Sequence, residues 1–324
     1  MSIFYFMIFI FLMSGCSNSS DNINNSLIVA DDKKVLPNIS KRVYGSSLNY
    51  KTEILDFKNT TLYKPKNIAP KVKVPFILFA PGWGSSDHNS YNTILSFIAS
   101  QGYITIYSKS PMQYGVQKYV ERFIKVLNDE EISKYIDKNR FGVVGHSSGG
   151  GIIFKLLEYF SQSGYGKEGR FVFSMDPWFS FEMSEDDFKN YPKNTKVVIQ
   201  QYTKHTQTDP RISLAIYDRL SSLGDENRDY QVYKDLDHGY PVGNVGFDEK
   251  QIILKPLDAL MEYVFQKNSD AYRYALGIGC NGLCKEQPIF SMYDYNYKCY
   301  GEIESLTAVL KKYGIDYCSS QYIK

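Results

Sequence analysis

Ser147 stands in Gly145-His146-Ser147-Ser148-Gly149, directly after the apolar run Phe141-Gly142-Val143-Val144. Ile152, Ile153, Phe154, Leu156, Leu157 and Phe160 follow at near-helical spacing. A strand that turns sharply into a helix exposes the serine hydroxyl at the turn, and glycines are needed where any Cβ would meet neighbouring backbone. The N-terminus of the helix then points at the serine. The chemistry open to such a residue is attack on an acyl carbon. Because a serine hydroxyl is a weak nucleophile at neutral pH, it needs a base, usually an imidazole whose tautomer is held by a carboxylate.

Four histidines are available for that base. His146 adjoins the serine in a position whose side chain is expected to point away from the reacting carbon and to pack. His88 and His205 read as polar loop residues. His238, in Asp235-Leu236-Asp237-His238-Gly239-Tyr240-Pro241, falls after the last strand-like run and before a closing helix, where the chain order serine, acid, histidine puts the base. Two aspartates lie between. Asp176, in Met175-Asp176-Pro177-Trp178, ends an apolar strand, where an unpaired carboxylate is costly to desolvate, and is the preferred acid. Asp209, before Pro210, is the alternative, and it also suits a helix cap with proline in the first turn.

A tetrahedral intermediate needs backbone donors for its oxyanion. One is expected from the N–H of Ser148 at the helix start. The other is assigned to the N–H of Trp83 in Ala80-Pro81-Gly82-Trp83-Gly84, a glycine-containing loop after an early strand, with the indole as a wall of the acyl pocket.

These residues need a frame, and the pattern supplies one. Strands are predicted at Val74–Ala80, Tyr103–Tyr107, Phe141–Gly145, Phe171–Met175, Lys196–Gln201 and Tyr230–Tyr233. Helices are predicted at Tyr91–Ser100, Val116–Ile136, the segment after Ser147, Ile212–Leu223 and Gln251–Gln266, while Val43–Tyr50 and Glu53–Tyr63 could supply antiparallel edge strands. Such alternation predicts an α/β fold with a mostly parallel sheet covered on both faces and a site at the carboxyl ends of the strands. No long insertion precedes His238, so no large lid is expected.

With 37 basic and 35 acidic side chains the formal charge is +2, which gives no footprint for nucleic-acid binding and favours a small or neutral partner. The 28 tyrosines are spread along the chain and read as compositional bias. Ile3–Met13 is apolar, too short to span a bilayer, and fits the core of a signal peptide over residues 1–15. The polar segment 16–40 reads as a tether, with an r.m.s. reach of roughly 25 to 30 Å. The hydrolytic domain is expected over 41–267. Residues 268–324 form a C-terminal extension holding Cys280, Cys284, Cys299 and Cys318. Setting Cys16 aside leaves these four, which predicts two disulfides of undetermined pairing in an oxidising compartment. A four-thiolate zinc site is the alternative, with no paired knuckle spacing to favour it.

Over residues 70–265 the chain resembles the α/β-hydrolases. Gly145-His146-Ser147-Ser148-Gly149-Gly150 and Pro81-Gly82-Trp83 resemble the dienelactone-hydrolase, cutinase and polyester-hydrolase side of that superfamily. Met175-Asp176-Pro177-Trp178 resembles the acid segment of platelet-activating-factor acetylhydrolases and chlorophyllases, whereas cutinases place the acid one strand later, near His205 to Asp209. The resemblance implies an eight-stranded type of sheet, a Ser147–His238–Asp176 triad and ester hydrolysis without metal or organic cofactor. Leu12-Met13-Ser14-Gly15-Cys16 resembles a bacterial lipoprotein signal, with Met13 where leucine is usual and no basic residue before the apolar run. It implies lipidation of Cys16 and attachment to the cell envelope, at the outer membrane in a Gram-negative cell because Ser17 follows. An unlipidated secretory signal, a peptidase or amidase on the same triad, and a non-catalytic envelope-binding lipoprotein are the alternatives. The expected partners are an ester substrate, lipid-like or small, and a membrane reached through the lipid.

Overall fold

A computed structural model describes residues 43–46, 50–69, 71–111, 115–202, 204, 208, 210–233 and 236–277. The signal-like segment, Cys16, His205, Asp209 and the four C-terminal cysteines lie outside them. The described chain builds eight strands: β1 (Thr52–Asp56), β2 (Thr60–Pro65), β3 (Val74–Ala80), β4 (Ile104–Ser108), β5 (Ile136–His146), β6 (Gly169–Met175), β7 (Thr195–Tyr202) and β8 (Arg228–Tyr233). They form one sheet in the order β1-β2-β4-β3-β5-β6-β7-β8. β1 and β2 pair antiparallel, as do β2 and β4, and every other pair is parallel.

Nearly continuous apolar runs such as Phe76–Ala80 belong to strands buried on both faces, as parallel strands between helices are. Side chains alternate across the pleat. Phe76, Leu78, Ile106, Val143 and Val172 enter one core, packed under α2 (Gln117–Leu127), α3 (Ser148–Gln162), the short α4 (Glu185–Lys189) and α5 (Pro210–Arg219). Ile77, Phe79, Val144, Phe173 and Val198 enter the other, under α1 (Asn92–Ser100) and α6 (Gln251–Phe265). The described structure is therefore an α/β sandwich of helices on both faces of a mostly parallel sheet. Ala271, Ala275 and Leu276, past the expected domain boundary at 267, are buried in the second core. The last two flank or belong to the short helix α7 (Tyr272–Ala275).

Two local expectations are corrected. The helix predicted over Val116–Ile136 stops at Leu127. The Asp129 carboxylate accepts the N–H groups of Glu131 and Ile132 at 3.0 and 3.2 Å, a turn that competes with the helix, and Ile136 opens β5. The Glu53–Tyr63 segment does give antiparallel edge strands, β1 and the start of β2, joined where the Asp56-to-Asn59 stretch turns and Phe57 N–H bonds to the Thr60 carbonyl. In the expected strand Val43–Tyr50, residues 43–46 turn instead, with Gly45 at φ 87° and its N–H on the Asp258 carboxylate of α6 at 2.9 Å.

Chain connection fixes where the site falls. After β3 the chain crosses to β4 on one side, then returns to lay β5 on the other side of β3. The loops leaving β3 and β5 therefore diverge at their carboxyl ends, which is where parallel sheets open a crevice.

Candidate active site

Ser147 is the single residue between β5 and α3. Its backbone is at φ 57°, ψ −123°, a strained conformation for a side-chain-bearing residue. It is held by three hydrogen bonds: Ser147 N–H donates to the Met175 carbonyl at 3.0 Å, and its own carbonyl accepts from Trp178 N–H at 2.8 Å and Gly151 N–H at 3.1 Å. The neighbouring glycines permit the turn. A Cβ on Gly149 would stand 2.1 Å from the Ala80 carbonyl oxygen, and one on Gly145 would stand 2.5 Å from the carbonyl oxygen of Gly149. Gly149→Ala must therefore push α3 away from β3. We expect it to destabilise the fold by at least about 2 kcal/mol, in the range of overpacked sites, measurable by urea unfolding.

Ser147, His238 and Asp176 come together. Ser147 Oγ lies 2.9 Å from His238 Nε2, and His238 Nδ1 lies 2.5 Å from Asp176 Oδ2. Asp176, directly after β6, is fully buried and carries the unusual φ of 44°. Its second oxygen, Oδ1, accepts from Gln201 Nε2 at 2.5 Å and from Tyr202 N–H at 3.1 Å. Burial pushes the Asp176 carboxyl above its ordinary range, opposed by His238, the Tyr202 N–H and Thr208. The Gln201 side chain is itself held, its Oε1 accepting from Ser213 Oγ at 2.5 Å. Glutamine at 201 gave no signal in the sequence, since it reads as one more residue of a strand.

The loop after β8 that carries His238 is fastened to the start of α1. Gly243 N–H donates to the Ser90 carbonyl at 2.8 Å, and Thr93 Oγ1 both donates to the Val245 carbonyl at 2.7 Å and accepts from its N–H at 3.0 Å. Lys250, only 5% exposed, donates to the carbonyls of Tyr240 and Val242 and lies over the Tyr240 ring. Burial pulls its ammonium below the usual lysine range.

The loop after β3 passes beside the serine: a Cβ on Gly82 would stand 3.5 Å from Ser147 Cβ. Trp83 follows and is 44% exposed, so its indole is not packed in the core. Ser148 is the first residue of α3, so its N–H has no acceptor within the helix and lies at the positive end of the helix dipole.

The remaining histidines divide. His88 sits in a short 3₁₀ turn with Nδ1 2.5 Å from the Tyr63 hydroxyl. His146, 3% exposed, does more than pack: its Nδ1 is 2.8 Å from the Tyr91 hydroxyl and its Nε2 is 2.8 Å from the main-chain carbonyl of His238. Tyr91 likewise gives no signal in the sequence, where it is one more aromatic residue at the start of a predicted helix. No protein-family model matches the chain, and neither does any curated protein.

Proposed function

We propose that this chain is a serine hydrolase of the α/β-hydrolase fold that cleaves carboxylic esters in the cell envelope, tethered by lipid on Cys16. The observation that carries the reading is the continuous contact from Asp176 through His238 to Ser147, with the serine on a strained strand-to-helix turn. The chain order serine, aspartate, histidine supports the fold family as well.

In this scheme Ser147 Oγ attacks the ester carbonyl and gives its proton to His238 Nε2 while the C–O bond forms. Asp176 holds Nδ1–H and stabilises the imidazolium. The oxyanion is received by the N–H groups of Trp83 and Ser148. Collapse breaks the bond to the leaving alkoxide, which takes the proton from His238 and departs as the alcohol. Water, deprotonated by the same imidazole, then attacks the acyl-serine, and the carboxylic acid leaves with Ser147 restored. Trp83 and Val242, exposed apolar side chains on the loops after β3 and β8, support an uncharged, apolar substrate.

Rapid mixing with p-nitrophenyl acetate and p-nitrophenyl butyrate is expected to give a burst of nitrophenol near one equivalent per protein, then turnover. The matching p-nitroanilides are expected to turn over far more slowly. Faster anilide cleavage would move the assignment to amide hydrolysis. Absence of both burst and turnover in folded protein would leave the envelope-binding reading in its place.

A further inference from the structure

We infer that Tyr91 and His146 are positioning residues that tie the oxyanion loop to the base loop through one hydrogen-bonded chain. The inference rests on the hydrolase reading above and extends it beyond the triad. The chain begins at Gly82, whose N–H donates to the Tyr91 hydroxyl oxygen at 3.0 Å. It continues from Tyr91 to His146 Nδ1 at 2.8 Å and ends at His146 Nε2 and the His238 carbonyl, 2.8 Å apart.

The proton positions follow from the partners. The His238 carbonyl can only accept, so His146 Nε2 carries a hydrogen. In a neutral imidazole Nδ1 is then the acceptor. Tyr91, whose oxygen already receives the Gly82 N–H, supplies its proton to that Nδ1. Every donor in the chain thus points from the loop after β3 toward the loop after β8, and both ends require the same neutral tautomer. Tyr91 and His146 are 2% and 3% exposed, so neither loses its partner to water without leaving a buried polar atom unmatched.

Neutrality also suits the site. The rings of His146 and His238 are 4.6 Å apart, and a second cation there would oppose the imidazolium that forms on His238. Burial, with His238 adding to it, holds His146 down to about 3. Because His146 ends β5 immediately before Ser147, the relay is anchored on the same rigid strand as the nucleophile. Gly82 precedes the proposed donor Trp83, and the His238 carbonyl belongs to the base itself. Breaking the relay therefore loosens two functional groups at once and leaves all three triad side chains in place.

The test uses full-length wild type, Tyr91→Phe, His146→Leu, the double variant and His146→Gln, each read by kcat and KM on p-nitrophenyl butyrate, by thermal midpoint and by rate of fluorophosphonate labelling. Tyr91→Phe removes one oxygen and keeps the ring. It is expected to lower kcat about tenfold, the scale of one lost hydrogen bond, with KM within about twofold. His146→Leu is expected to lose more, and the double variant no more than His146→Leu alone, because the chain is already broken. His146→Gln, which can still donate to the His238 carbonyl, is expected to recover most of the loss. Multiplying losses in the double variant, or a folded Tyr91→Phe with wild-type kcat and labelling rate, would overturn the relay while leaving the hydrolase reading intact. Failure of wild type itself to label would remove that reading and the relay with it.

Discussion

Asp176→Asn is expected to fold, to bind substrate with nearly unchanged KM and to lose roughly ten-thousand-fold in kcat, the scale seen when a triad carboxylate becomes an amide. The reason lies in which way the amide must face. Asp176 Oδ1 receives two donors, Gln201 Nε2 and Tyr202 N–H, so in the variant the amide oxygen takes that place. The amide nitrogen is then left facing His238 Nδ1, which must accept rather than donate. That fixes the hydrogen on Nε2, and an imidazole in that tautomer cannot take the proton of Ser147. A kcat within tenfold of wild type, in a variant whose thermal midpoint is preserved, would show that Asp176 does not set the tautomer of His238.

The second large effect is expected at the other two residues. Ser147→Ala and His238→Ala should each lower ester turnover by about a million-fold, and the double variant should be no slower than either single one, since residues that act as a unit fail together. Steady-state turnover of p-nitrophenyl butyrate over long incubations gives the comparison. Independent, multiplying losses would mean that serine and histidine do not share one proton transfer, despite the 2.9 Å between them.

The parts of this arrangement that the sequence made legible are those set by local pattern. Phe141 to Phe160 reads as strand, tight turn and helix because apolar runs change period around two glycines, and the runs at Val74–Ala80 and Phe171–Met175 read as buried strands for the same reason. Ile136 falls inside the expected helix because a helical period runs on through it, and the Asp129 side chain taking the backbone N–H groups ends the helix earlier. Tyr91, His146 and Gln201 are harder still. A tyrosine opening an amphipathic helix looks like core, and its value here depends on a partner that is distant in sequence and adjacent only once the loops after β3 and β8 meet at the end of β5. Nothing periodic announces such a contact. Spacing alone does not separate Asp176 from Asp209, as either follows a strand between Ser147 and His238, and the preference for Asp176 rests on the cost of desolvating a carboxylate at the end of an apolar strand. The structure brings Asp176 to the imidazole, and Asp209 lies outside the described residues.

The central claim is that Ser147 is an activated nucleophile, and covalent labelling tests it most directly. Purified protein lacking residues 1 to 16, alongside its Ser147→Ala and His238→Ala variants, is treated with a fluorophosphonate and weighed intact by mass spectrometry, with the adduct then located by peptide mapping. The account predicts one adduct per wild-type molecule, on Ser147, absent in Ser147→Ala and lost or greatly slowed in His238→Ala. Folded wild type that stays unmodified, or that carries its adduct on another residue, would contradict it.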